Sequence, residues 1–157
     1  WLALKNYVAA KEVFLRSLEI LETNNVRSLP KIAHQLDGIV EADSNLGVTD
    51  RLRDQLWRAC SVKQKFGSMA KTDLGYLKMK LGDVNILLGD FKLAKDAYDD
   101  ACNHFRRIFE APNAIAFKLA INMGGIHLKL GCLEDSRENF AEAARIAKVI
   151  FPGDHYK

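Results

Sequence analysis

The chain has 157 residues, of which 48% are hydrophobic and 27% are charged, and its 23 basic side chains are nearly balanced by 20 acidic ones. This composition is typical of one globular domain with a buried core, and the mixed charges disfavour a nucleic-acid footprint. No apolar run approaches the roughly 20 residues that cross a membrane, and three scattered cysteines without a CxxC pair disfavour a disulfide framework or a zinc site.

Hydrophobic periodicity and turn residues predict seven helices along the chain. We expect them at residues 8–22, 29–46, 50–66, 69–88, 91–110, 112–130 and 133–151. Pro30 and Pro112 fall in first turns, where a missing N–H costs little. Thr49 or Asp50 and Ser68 are suitable N-caps, because a side-chain oxygen there can accept a bond from a free backbone N–H.

The second half of the chain repeats with a period of 42 residues. Partial matches continue at residues 39–59 and 5–17. In each unit a glycine such as Gly89 would end the first helix in a left-handed conformation, and Asp90 would cap the second. The repeat predicts antiparallel helix pairs that bury their apolar faces only by stacking on neighbouring units. The positions of one copy that have a counterpart 42 residues later are Leu81, Gly82, Gly89, Asp90, Phe91, Ala94, Tyr98 and Ala101.

Two departures from the repeat predict local differences. Ile39-Val40 replace the leucine-glycine pair of the later unit, so we expect the two helices of the earlier unit to cross at a wider distance. Cys132 replaces the aspartate cap, which should weaken that cap by roughly 1 kcal/mol.

These motifs resemble the tetratricopeptide repeat family over essentially the whole chain. A unit of 42 residues is longer than the usual 34 and is similar to the extended repeats of kinesin light chains and of Leu-Gly-Asn-rich spindle-orientation adaptors. The segment 150–155 resembles the Leu-Gly-Pro-Asp-His linker of the former group, and a similar ending occurs in SET- and MYND-domain methyltransferases. The resemblance implies an all-α fold, a right-handed α-solenoid of antiparallel helix pairs with about seven helices.

The same resemblance divides the chain into half a repeat unit, one moderately matched unit and two well-matched units. The chain opens at Trp1 without a helix cap, so we expect a slice of a longer protein. The expected units cover residues 1–25, 26–67, 68–110 and 111–153.

In this family the first helix of each unit lines a concave groove, and its non-core residues meet the ligand. Asp37, Glu41 and Asp83 stand where chaperone-binding members carry basic residues, which disfavours a terminal carboxylate as ligand. Tyr76 and Met79 add apolar side chains off the core stripe, so a peptide or helix with apolar and basic character fits better. The alternative is that these positions are simply solvated helix faces. The groove positions that the resemblance implies are His34, Asp37, Glu41, Tyr76, Met79, Asp83, Lys118, Ile121 and Gly125.

No catalytic or cofactor-binding motif is supported by the sequence. Ser68 and Lys71 match an SxxK pattern, but without companion motifs a capping serine is the simpler explanation. The four histidines lack metal-ligand spacing, and His127 falls where the family often packs an aromatic side chain. Cys60 and Cys102 each follow the alanine of the repeat, which indicates small-residue packing. We therefore expect no cofactor, no metal and no enzymatic activity.

The leading hypothesis is a non-catalytic scaffold or adaptor segment that binds a peptide, a helix or a neighbouring subunit in the groove. The alternative is a regulatory helical-repeat domain of a larger enzyme whose catalytic part lies outside this chain. RNA binding ranks last, because no basic or stacking residue recurs at the groove positions.

Composition and the chain ends complete these expectations. The partner would be a protein or peptide, with neither nucleic acid nor membrane involved. The cysteine usage favours an intracellular compartment, with the cytoplasm the simplest and the nucleus or cytoskeleton open. We also expect end-to-end self-association or assembly into a larger complex, because terminal repeats expose apolar faces. We expect Trp1, Leu2 and Leu4 to pack as remnants of an incomplete first helix, and the face of the last helix that contains Ile146 and Ile150 to meet another helix or a partner chain.

Overall fold

In the part of the chain that the structure describes, seven helices follow one another, and each packs on the next. The computed structural model describes residues 2–23, 29–47, 49–65, 71–109 and 112–152. Over these residues it is an α-solenoid without strands, which confirms the predicted all-α fold. The helices are α1 (Leu2–Thr23), α2 (Leu29–Leu46), α3 (Asp50–Gln64), α4 (Lys71–Leu88), α5 (Phe91–Arg106), α6 (Ala114–Lys129) and α7 (Leu133–Ile150).

The helix boundaries follow the expected local signals at most ends. Gly89 and Gly131 have φ angles of 83° and 78°, the left-handed conformation predicted for a helix stop. Thr49 caps α3 by accepting a bond from Leu52 N at 3.3 Å, whereas Ser68 lies outside the described residues. Two limits differ from the prediction by four residues or more: α1 begins at Leu2 instead of residue 8, and α5 ends at Arg106 instead of residue 110.

Asp90 stands at the N-cap position of α5 but does not cap it. Its side chain makes no capping hydrogen bond, and its carboxylate pairs instead with Arg53 of α3. Cys132 at the start of α7 also makes no side-chain cap. The helices α5 and α7 therefore begin in the same way. The structure gives no basis for the loss of roughly 1 kcal/mol of capping free energy that we expected at Cys132.

Close approach of α4 and α5 depends on the glycine where they cross. A Cβ at Gly82 would collide with the ring of Tyr98, which is completely buried. The next pair repeats this arrangement, since a Cβ at Gly124 would lie 2.8 Å from the ring of Phe140. The small residues that the repeat placed at the crossing thus allow two helix backbones to approach.

The earlier part of the chain is packed differently. α2 packs more extensively on α1 than on α3. Gly38 of α2 receives the ring of Phe14, which a Cβ would meet at 2.5 Å. Val40, which replaces the crossing glycine, is buried between the helices. The less extensive α2–α3 contact agrees with the wider crossing expected from Ile39-Val40.

Two apolar cores run through the solenoid, and α4 contributes to both. The first is centred on Leu36, Ile39 and Leu56 and includes Leu77 and Val84 of α4. The second, between α4, α5 and α6, contains Met79, Tyr98, Ala101, Phe105, Leu119, Met123 and Ile126.

The end of α7 exposes other residues than those predicted. Ile146 is buried, because it packs towards α5 and α6, and Ile150 is half-buried. The large apolar side chains exposed on α7 are those of Leu133, Phe140 and Val149. The packing expected for the side chains of Trp1, Leu2 and Leu4 lies outside the described part of the chain.

Candidate partner-binding groove

A depression lies between α4 and α6, the first helices of the two well-matched units. Tyr76, Met79 and Asp83 of α4 line one side, and Ile115 and Lys118 of α6 line the other. The structure therefore brings together four of the side chains predicted for the groove. We call this the first depression; its remaining lining residues are Lys80 and Ala114.

The two apolar side chains of α4 in the first depression differ in exposure. The Tyr76 ring is 49% exposed and rests edge-on against Phe105, with ring centroids 5.4 Å apart. Met79 is only 4% exposed and belongs to the core with Tyr98 and Leu119. The expectation that Met79 stands off the core is wrong, because α6 packs over it. Met79 forms the floor of the depression and Tyr76 its accessible wall.

Asp83 is the centre of a polar network that joins three helices. Tyr98 Oη of α5 donates a hydrogen bond to its Oδ1. Asn122 Nδ2 of α6 lies 2.5 Å from Tyr98 Oη and 3.3 Å from Asp83 Oδ1. Lys118 Nζ lies 3.4 Å from Asp83 Oδ2. Both carboxylate oxygens of Asp83 are therefore engaged within the protein.

Burial and the bond to Asp83 both favour the neutral form of Tyr98. Desolvation of the ring is the larger cause and the hydrogen bond to Asp83 the next, and together they raise the pKa of Tyr98 well above its usual range. The phenol is thus a fixed donor to Asp83, and it holds that carboxylate towards α6.

A second depression lies further along α6. Ile121, which is 40% exposed, and Gly125 line it together with Phe140 of α7. A Cβ added at Gly125 would meet no atom within 4 Å, so the space above that backbone is open. Apolar atoms dominate this site, because Gly125 and Phe140 stand where the preceding unit has Asp83 and Tyr98. The other lining residues are Ile86, Phe91, Asn122, Ile126 and Lys129.

The predicted groove residues of α2 lie outside both depressions. Asp37 pairs with Lys63 of α3 at 2.8 Å, and His34 is exposed with its ring edge-on to Phe14. Glu41 is also exposed. We predicted a basic ligand from the acidic side chains of the groove. Most of these are already paired within the protein, since Asp37 pairs with Lys63 and Asp83 engages Lys118.

Sequence reasoning missed the polar contribution of Lys80 and Asn122. These two residues are 42 positions apart, and each stands two positions before the crossing glycine of its helix. The repeat itself could have identified them, because equivalent positions on neighbouring first helices face the same groove.

Buried titratable side chains away from the groove serve packing. Burial raises the pKa of Cys60 to about 11 and also raises that of Cys102, so both thiols stay protonated near neutral pH. His127 is buried, and its Nδ1 lies 3.2 Å from Asn139 Nδ2. This confirms His127 as a packed side chain of the α6–α7 contact. Within the described residues, no three His, Cys, Asp or Glu side chains are grouped so as to hold a metal ion.

A separate cavity of about 160 Å³ lies between α5, α6 and α7. Phe105, Phe109, Leu119 and Ile146 supply apolar walls, and Arg106 and Glu142 are among the polar lining residues. Sequence analysis did not predict this cavity, because it arises where α5 and α6, from different units, pack less extensively than the helices within a unit.

The helices and the depressions define the class of the molecule. Consecutive helices that pack each on the next form a helical-repeat α-solenoid, and a groove follows two of its first helices. Within the described residues, no helix is long and apolar enough to span a membrane.

Comparison with known proteins supports the fold. No family model and no curated protein matches the chain. The crystal structure of BtubC (BKLC) from P. vanneervenii matches with a TM-score of 0.65 at 13% sequence identity. The match covers 90% of this chain and 57% of that one, so the chain spans little more than half the length of this structural neighbour. At this level of identity the likeness shows a shared helical fold.

Proposed function

We propose that the chain is a segment of tetratricopeptide-type repeats that acts as a non-catalytic scaffold or adaptor. It holds a segment of a partner protein in the groove along α4 and α6. The observation that supports this most is the exposure of Tyr76 and Ile121 at the walls of two depressions on one groove. Apolar side chains at the centre of a concave surface are the usual anchors of protein recognition.

The groove also has the rigidity that a binding surface needs. The Asp83 network ties α4 and α5 to α6, so the two walls of the first depression are held at a fixed separation. A preformed groove loses little conformational entropy when a partner binds, and more of the contact energy then appears as affinity.

Peptide display provides the test. Random 16-residue peptides are selected on the chain, and the dissociation constants of the enriched peptides are measured. Replacing both Tyr76 and Ile121 by alanine should weaken their binding at least tenfold, which corresponds to about 1.4 kcal/mol. Both side chains are partly exposed, so the double variant should remain folded by circular dichroism.

The matched control is Leu93→Ala, which removes a side chain 50% exposed on α5 and outside both depressions. It should leave the affinities unchanged. Enriched peptides that bind the double variant as tightly as the original chain would refute binding in this groove.

A further inference from the structure

The two depressions lie in line along α6. The α6 residues that line the second depression are, on average, about nine sequence positions after the α6 residues that line the first depression. At a rise of 1.5 Å per residue this places the two apolar sites about 13 Å apart. Where the two depressions adjoin, Asp83 and Lys118 of the first meet Asn122 of the second through the polar network. A ligand that fills both sites must therefore present two apolar side chains at this spacing and a polar surface between them.

Charge at the rim of this groove is positive. Lys80 and Lys118 line the first depression and Lys129 lines the second, while Asp83 is the acidic residue of the two linings. Asp83 is already engaged by Lys118, Tyr98 and Asn122. Within the described residues, neither Lys80 nor Lys129 forms an ion pair. A ligand with acidic side chains complements this rim, and a basic one does not.

The groove offers little to the backbone of an extended peptide. The backbone groups of α4 and α6 are bonded within their helices, and the Asn122 amide is taken by Tyr98 and Asp83. An extended ligand would leave its own backbone groups to water, whereas a helix satisfies them internally. On a helix, apolar side chains seven or eight positions apart are separated by about 11–12 Å, close to the spacing of the two depressions.

We propose that the α4–α6 groove binds an amphipathic helix of a partner protein. The helix carries two apolar anchors seven or eight positions apart, one against Tyr76 and Met79 and the other against Ile121 and Phe140. Acidic residues flank the anchors and face Lys80 and Lys129. This proposal rests on the function proposed above, and it replaces the expectation of a basic ligand by that of an acidic one.

The same display experiment tests it through the composition of the selected peptides. Peptides that lose at least tenfold in affinity to the variant lacking Tyr76 and Ile121 are the groove binders. Their sequences should be enriched in Asp and Glu over Lys and Arg. They should carry paired apolar residues seven or eight positions apart, and proline placed between the anchors should abolish binding.

Charge reversal supplies the second measurement. Lys80→Glu together with Lys129→Glu should weaken the acidic groove binders on the order of tenfold at low salt, and less at 0.5 M salt because exposed charges are screened. The matched control is Lys92→Glu, a charge reversal at an exposed lysine of α5 outside both depressions. Its effect on affinity should be small.

The outcomes separate the two proposals. Groove binders that are basic, or that tolerate proline between their anchors, overturn the acidic helix and leave the adaptor function standing. An unchanged affinity in the Lys80 and Lys129 double variant also overturns it. If no selected peptide depends on Tyr76 and Ile121, the adaptor function fails, and this inference fails with it.

Discussion

At the scale of single residues, Asp83 shows how a groove position can serve the fold and the surface together. Its carboxylate is 39% exposed, yet it accepts bonds from α5 and α6. Glu41, one repeat earlier, is exposed, and Leu56, the counterpart of Tyr98 in that repeat, has no hydroxyl group. One repeat later Gly125 and Phe140 lack both the carboxylate and the phenol. The polar network therefore marks a single junction of the solenoid.

Removing the phenol tests this junction. Tyr98→Phe should lower the free energy of unfolding by about 1–2 kcal/mol, because Asp83 loses a donor while its exposed side can still be hydrated. Urea unfolding followed by circular dichroism measures the change. The matched control is Tyr76→Phe, where the removed hydroxyl belongs to a half-exposed ring and the change should stay within about 0.5 kcal/mol. Equal stabilities of the two variants would mean that the network contributes nothing to folding.

For two residues the contacts predicted from the sequence were wrong. Met79 was expected to stand off the core, but its burial depends on how α6 packs over it. Asp90 was assigned to a cap, but Arg53, thirty-seven positions earlier, engages its carboxylate. Both errors concern contacts between residues far apart in sequence, on which local patterns give no information.

At the scale of helices, the repeat predicted well whatever depends on backbone geometry. The glycine stops at Gly89 and Gly131 and the crossing at Gly82 follow from steric limits that hold wherever the pattern occurs. The first depression was foreseen through Tyr76 and Asp83. The second was foreseen only in part, because Phe140 contributes to it from another helix.

Two glycines on the first helices provide a matched pair of substitutions. Gly82→Ala should destabilise the fold by about 1–3 kcal/mol, because the new methyl group collides with the buried Tyr98 ring and α4 and α5 must separate. Gly125→Ala meets open space in the middle of α6 and should stabilise the fold by up to about 1 kcal/mol, since alanine favours a helix over glycine. Thermal and urea unfolding of both variants measure the difference. Similar effects of the two substitutions would contradict the close α4–α5 crossing.

At the scale of the whole molecule, the exposed face of α7 is the clearest site for contact with another subunit. Leu133 is 65% exposed and lies on the same side of α7 as Phe140, which is seven positions later. Phe140 remains 39% exposed, although Tyr98, its counterpart one repeat earlier, is fully covered by α6. Apolar side chains grouped in this way mark interaction surfaces.

We expect the chain to self-associate through this face. In sedimentation equilibrium the average mass should rise above 17.7 kDa as concentration increases. Replacing Leu133 by aspartate should restore the monomer mass, whereas Leu93→Asp on α5 should not. Concentration-independent monomers of the original chain would rule out this role of α7.

The participation of α4 in both apolar cores has a consequence for how the molecule loses its structure. Repeat proteins can fray unit by unit from either end, because each unit contacts only its neighbours. Here Leu77 and Val84 face one core while Met79 faces the other. Fraying from either end therefore reaches α4 last, because its melting would open both cores at once. We expect the backbone amides of α4 to exchange with solvent more slowly than those of the terminal helices.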